Sequence, residues 1–181
     1  MATPGDATPL PTELLNLTDH SAAPAAVRVA LARLSEAAPD ALEAAVVDAA
    51  QAHSLVSVLA ASRSLTRLLE ARPADALAAL ADTNKRATPT AASAEDLVSW
   101  RNLEFLRIAT RDLTGLDTLD EVGANLAALG RDVLEVSWQL TKDDDTTLSI
   151  IGMGKLGGDE LNYSSDIDVL FVGDGPRQAL E

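Results

Sequence analysis

Apolar positions recur at intervals of three and four through most of the chain, and shift to alternation only near residue 150. The longest stripe is Leu119, Val122, Leu126, Leu129, Val133, Val136 and Leu140. Its alternate spacing of three and four predicts a helix that packs on other helices along one side. Thr118 and Glu121 form a capping box at its start. Upstream, Leu97, Trp100, Leu103, Leu106 and Leu113 trace a second buried side, on a helix opened by Ser93 and Asp96 and stopped by Gly115. Ser21 is expected to cap a helix over 21–38 that buries Val27, Leu31 and Leu34. Pro39-Asp40 breaks the chain, and Leu42, Val46 and Ala49 mark a helix ending near His53. A further helix is expected over 55–71, with Leu65, Leu68 and Leu69 apolar, and Pro73 ends it. A short helical turn follows over 77–80, and 84–92 reads as a loop. Residues 1–20, with Pro4, Pro9 and Pro11 among Thr, Gly and Asp, read as a mobile tail.

The period then changes. Residues 146–151 are β-branched and apolar and predict a strand. Gly152, Gly154, Gly157 and Gly158 follow, a turn whose backbone can approach a ligand closely and offer N–H groups to phosphate oxygens. A second strand is expected over 166–172. Alternation would place Asp166 and Asp168 on one face, and Ile167, Val169 and Phe171 on the other, toward a core. Two carboxylates beside a phosphate-cradling turn suit Mg²⁺ held between protein and nucleotide. Three patterns compete here. Gly152 to Gly157 fits the dinucleotide fingerprint of an NAD(P)-binding Rossmann module, but the next strand starts too soon for a crossover helix. A P-loop fails because Leu156 follows Lys155. A nucleotidyltransferase turn, in which a glycine pair precedes Asp-x-Asp on a strand, fits without strain.

The stretch GMGKLGGDELNYSSDID, residues 152–168, resembles the signature of the glutamine synthetase adenylyltransferase/adenylyl-removing enzymes, members of the polymerase-beta-like nucleotidyltransferase superfamily. A weaker likeness covers RNLEFLRIATRDL, residues 101–113, which is similar to the helix these enzymes carry ahead of the signature. Gly154-Lys155 stands where the superfamily has a Gly-Ser-like pair. The resemblance implies that Asp166 and Asp168 are catalytic metal ligands, with Gly154, Lys155, Gly157, Gly158 and Ser165 contacting nucleotide or phosphate. It implies Mg²⁺ as cofactor, and ATP or ADP as substrate or product. It implies transfer of AMP to and from a tyrosine of glutamine synthetase, under control of a PII-type signalling protein. The family's first nucleotidyltransferase domain, preceded by helices, is the adenylyl-removing half. The fold normally needs a third carboxylate from a later strand. After Asp168 only Asp174 and Glu181 are acidic, so an N-terminal fragment with an incomplete site is expected.

Composition adds bounds to this picture. The 181 residues carry a net charge of −14, which argues against nonspecific binding to nucleic acid or an anionic membrane. Aromatic residues are only 3%, so the apolar content is mostly Ala, Leu and Val, suited to closely packed helices. There is no cysteine, hence no disulfide framework or thiol nucleophile, in keeping with a cytoplasmic protein. No apolar run approaches the about 18 residues of a membrane span, and the start lacks the order of a signal peptide. Trp100 and Trp138 are expected in helix packing, and His20 and His53 at the surface. Arg107 and Arg111 are expected on a solvated helix face near Glu104. Lys155 is read equally as a triphosphate contact or a solvated side chain, and Asn162, Ser164 and Ser165 as nucleotide contacts or turn formers. The expected architecture is α+β, with a tail over 1–20, a helical region over 21–142, and the first strands of a nucleotidyltransferase domain over 143–181. An interaction fragment without catalysis is the remaining alternative.

Overall fold

A computed structural model describes residues 11–142 and 147–174. They form an α+β chain, mostly helical, with one two-stranded antiparallel sheet. The chain divides into two compact units, Met1–Lys85 with Ala109–Leu116, and Arg86–Ile108 with Asp117–Glu181.

The first unit is built from short helices: α1 (Thr12–Asp19), α2 (Pro24–Ala37), α3 (Pro39–Ala45), α4 (Ala49–Ala61), α5 (Arg63–Ala71) and α6 (Pro73–Ala81). The tail expected over 1–20 is helical from Thr12, because Leu14 and Thr18 fall one turn apart and are both fully buried. The rest of that stretch, 1–10, lies outside the described residues. Ser21 does not cap α2; its hydroxyl donates to Thr18 O and closes α1. Pro24 takes the first position of α2, where its missing N–H costs nothing.

The two helices expected over 42–53 and 55–71 are three. Asp48 Oδ1 accepts from Gln51 N at 2.8 Å and starts α4, while Ser62 Oγ accepts from Leu65 N at 3.3 Å and starts α5. Each cap satisfies an otherwise orphaned donor and lets the chain turn between helices. Pro73 both follows α5 and opens α6, which is therefore longer than the turn expected over 77–80. Leu34, Leu55 and Leu69 are fully buried. A leucine withdrawn from water in this way contributes about 1.5–3 kcal/mol.

The second unit holds most of α7 (Ala94–Leu113), all of α8 (Leu119–Thr141), strand β1 (Thr147–Gly152), the single turn α9 (Gly154–Gly157) and strand β2 (Val169–Asp174). Ser93 accepts from Asp96 N at 3.1 Å, and the Thr118–Glu121 capping box is formed as expected. Leu97, Trp100, Ile108, Val122, Leu126, Leu129, Leu156 and Leu161 make the core of this unit. The ends of the α8 stripe are less covered than its spacing suggests: Leu119 is 84% exposed and Leu140 is 38% exposed. Leu113 is exposed as well, at the end of α7.

Arg107 is not on a solvated face. It is 7% exposed and donates through Nε and Nη2 to the equally buried Glu104. Arg86 approaches Glu104 at 3.5 Å and also bonds Asp132 of α8. Burial of the pair is tolerable because each charge finds its partner on the next turn of the helix. Arg111, half-buried, donates to Asn84 at 2.9 Å. Trp100 is in the core, whereas Trp138 is half-buried and lines an open cleft of about 530 Å³ with Leu134, Leu148 and Ile150. His20 and His53 are both exposed. Among the described residues, no single helix is long and apolar enough to cross a membrane.

Candidate functional site

The site begins where β1 ends. The strands pair antiparallel from Thr147↔Asp174 to Gly152↔Val169. Met153 N continues the ladder by donating to Asp168 O at 2.8 Å. Antiparallel pairing and a four-residue helix exclude the Rossmann alternative, which needs parallel strands joined by a full crossover helix.

The turn itself needs its glycines. Gly154 has φ +52°, in the region L side chains avoid. A Cβ at Gly157 would lie 2.6 Å from Gly152 O, so only glycine lets α9 fold back onto the end of β1. Gly157 N donates to Met153 O at 3.1 Å and Gly158 N to Gly154 O at 3.0 Å. Those two N–H groups are thus engaged within the turn. The N–H groups of Gly154, Lys155 and Leu156 precede the first intrahelical bond and keep their donor capacity. Leu156 is 1% exposed and anchors the turn in the core, while Lys155 is exposed without an ion pair among the described residues.

Asp166 and Asp168 precede β2 rather than lying in it, since the strand starts at Val169 and runs through Asp174. Both aspartates are exposed, and neither carboxylate has a bond or ion pair among the described residues. Asp168 Oδ2 stands 3.4 Å from the Cβ position of Gly154, so this carboxylate hangs over the turn, in space a side chain at 154 would crowd. The expected apolar face is only partly covered. Val169 packs on the core, whereas Ile167 is 43% exposed and Phe171 is 37% exposed. Between turn and strand, Asn162 N donates to Ser165 Oγ, Ser164 N to Asn162 Oδ1, and Ser165 N to Asn162 O. These residues shape the approach to Asp166, and the Ser165 hydroxyl serves as an acceptor there. Asp166 and Asp168 supply hard oxygen donors free of competing partners, which fits a magnesium ion shared with phosphate. No third acidic or histidine ligand joins them among the described residues.

Several supporting residues escape a reading of the motif alone. Gly123 and Gly130 of α8 lie two turns apart, and a Cβ on them would come within 3.2 Å of Asp159 O and of Leu156 Cδ1. They form a groove that seats the loop after α9. Arg131 Nη1 donates to Asp159 Oδ1 at 2.5 Å, and Asp159 holds φ +59°, unusual for a residue with a side chain. The Tyr163 ring meets Phe105 of α7 edge-on, with centroids 5.4 Å apart and planes at 80°. The paired glycines within the α8 stripe are the one signal of this in the sequence, since an interior helical glycine weakens the helix and calls for a packing reason.

The chain is similar in sequence to several known proteins. The bifunctional glutamine synthetase adenylyltransferase/adenylyl-removing enzyme of Streptomyces avermitilis is 36% identical over 143 residues, covering 70% of this chain and 14% of that protein. Its counterpart from Mycobacterium leprae is 36% identical over 114 residues, covering 59% of this chain and 11% of the relative. That of Aromatoleum aromaticum is 38% identical over 86 residues, 43% of this chain and 9% of the relative. The chain therefore spans only a small part of the length of these relatives. No solved structure matches it. The profile of the glutamate-ammonia ligase adenylyltransferase family matches residues 48–180, and the chain belongs to that family.

Proposed function

We propose that this chain carries the opening segment of a polymerase-beta-like nucleotidyltransferase domain that removes AMP from a tyrosine of glutamine synthetase. The observation that carries the reading is the junction of glycine turn and aspartates, where the Asp168 carboxylate overhangs Gly154. Family membership supports nucleotidyl transfer. The helices ahead of the signature support the adenylyl-removing half.

In this reading Asp166 and Asp168 hold Mg²⁺, which when bound neutralises charge on the transferring phosphoryl group. The open N–H groups of Gly154, Lys155 and Leu156 orient phosphate oxygens. Lys155 adds an exposed positive charge beside them. Gly157 acts by shape, permitting the fold-back, Gly158 closes the turn by donating its N–H to Gly154 O, and Ser165 acts by fixing the loop. Removal is a phosphorolysis. An oxygen of inorganic phosphate bonds to the AMP phosphorus, the bond from phosphorus to the tyrosine oxygen breaks, that oxygen takes up a proton, and ADP leaves. The resemblance adds a further carboxylate from a later strand for catalysis, while Asp166 and Asp168 suffice to hold the ion, as one or two carboxylates commonly do. A PII-type protein as regulator and a cytoplasmic location belong to the same proposal.

In a longer enzyme containing this chain, Asp166→Asn should abolish AMP removal and leave AMP addition intact. Both are read by following adenylylated glutamine synthetase with time. Removal at the wild-type rate would sink the assignment.

A further inference from the structure

We propose that Phe105 is a positioning residue for Asp166, acting through Tyr163 as an aromatic latch. This rests on the reading of Asp166 as a metal ligand given above.

The segment from Asn162 to Asp168 is held at two places. At its far end, Asp168 is fixed by its carbonyl, which accepts from Met153 N at 2.8 Å and extends the strand ladder. At its near end, Tyr163 is held by α7. Its ring meets the edge of Phe105, and the Arg101 guanidinium sits 4.9 Å from the Phe105 ring centroid. Phe105 packs against the same core as Val169. Its neighbour Glu104, buried and paired with Arg107, is also approached at 3.5 Å by Arg86, which bonds Asp132 and so ties α7 to α8 at that level. Three hydrogen bonds then rigidify Asn162 to Ser165.

Asp166 and Ile167 come next, both exposed, and Asp166 has no bond of its own among the described residues. Asp168 therefore owes its place to the ladder, and Asp166 owes its place to the Tyr163 turn. The two carboxylates of one motif are positioned by different elements. Loss of the latch should loosen one and spare the other.

The test uses amide hydrogen exchange on the 181-residue chain, with Mn²⁺ as a paramagnetic stand-in for Mg²⁺. The variants are Phe105→Leu, Tyr163→Leu and, as the conservative control, Phe105→Tyr. Exchange at the Ser164 and Ser165 amides should rise about five- to tenfold in both leucine variants, the size of an aromatic pair's contribution. Exchange at the Met153 amide, which reports the ladder, should not change. Mn²⁺ affinity, read from line broadening at Asp166, should weaken by a similar factor, and Phe105→Tyr should keep wild-type values in both readouts. Unchanged exchange at Ser164 and Ser165 in both leucine variants overturns the latch. So does a uniform rise that includes Met153 and α8, because Phe105 would then serve only core stability. If Mn²⁺ never broadens Asp166 in the wild-type chain, the metal reading fails and the positioning role falls with it. In that case a selective rise at Ser164 and Ser165 still identifies the contact as structural.

Discussion

The first unit and the hairpin of the second treat apolar residues in opposite ways. Leu14, Leu34, Leu55 and Leu69 are fully withdrawn from water, whereas Ile151, Leu170 and Val172 of the hairpin are between 45% and 51% exposed. The helices achieve burial by local means, with caps at Asp48 and Ser62 and prolines at helix starts that turn one apolar stripe against the next. Two strands cannot do the same, because a two-stranded sheet has two faces and only one layer to cover them. Here α8 and α9 cover one face around Leu156 and Val169, and the residues paired as Ile151↔Leu170 face outward. The proposed site sits where the covering stops. The unpaired aspartates and the open N–H groups occur at the end of the hairpin, not among the helices.

The contrast can be broken at its strongest point first. Leu156→Ala removes the one side chain of the glycine turn that reaches the core and should cost about 2–5 kcal/mol. Both tryptophans, Trp100 and Trp138, belong to the second unit, so their fluorescence reports it during denaturant unfolding. The Leu156→Ala transition should move earlier by fluorescence, and Leu55→Ala should move the far-ultraviolet circular dichroism transition of the first unit more. Identical shifts by both probes for both variants would show one cooperative block and erase the distinction. Ser62→Ala tests whether capping divides α4 from α5. A loss of about 0.5–2 kcal/mol is expected, in the circular dichroism melt. Least affected should be Leu170→Lys, on the uncovered face, within about 0.5 kcal/mol of wild type. A larger drop in its thermal midpoint would mean that this face is packed.

The helical stripe of α8, its capping box and the α7 cap are legible in the sequence because each depends on residues within one or two turns. The glycine turn is legible for the same reason. What escapes reading is set by contacts distant along the chain. Asp48 and Ser62 act as caps only because the helices beyond them have a core to meet. Arg107 pairs with a buried Glu104 that Arg86 also approaches while bonding Asp132, an arrangement no local pattern reveals. The second strand begins three residues later than alternation suggests, because its pairing with β1 ends at Gly152↔Val169, where the partner chain leaves the sheet for the glycine turn. Tyr163 reads as part of a polar loop until Phe105, far upstream, is brought against it.

The most direct test of the central claim is Mn²⁺ titration of the wild-type chain followed by amide line broadening. The account predicts that residues 152–156 and 165–169 broaden together at low metal concentration, and that Asp166→Asn with Asp168→Asn removes both effects. Broadening confined to other acidic surface residues, or unchanged in the double variant, would contradict it.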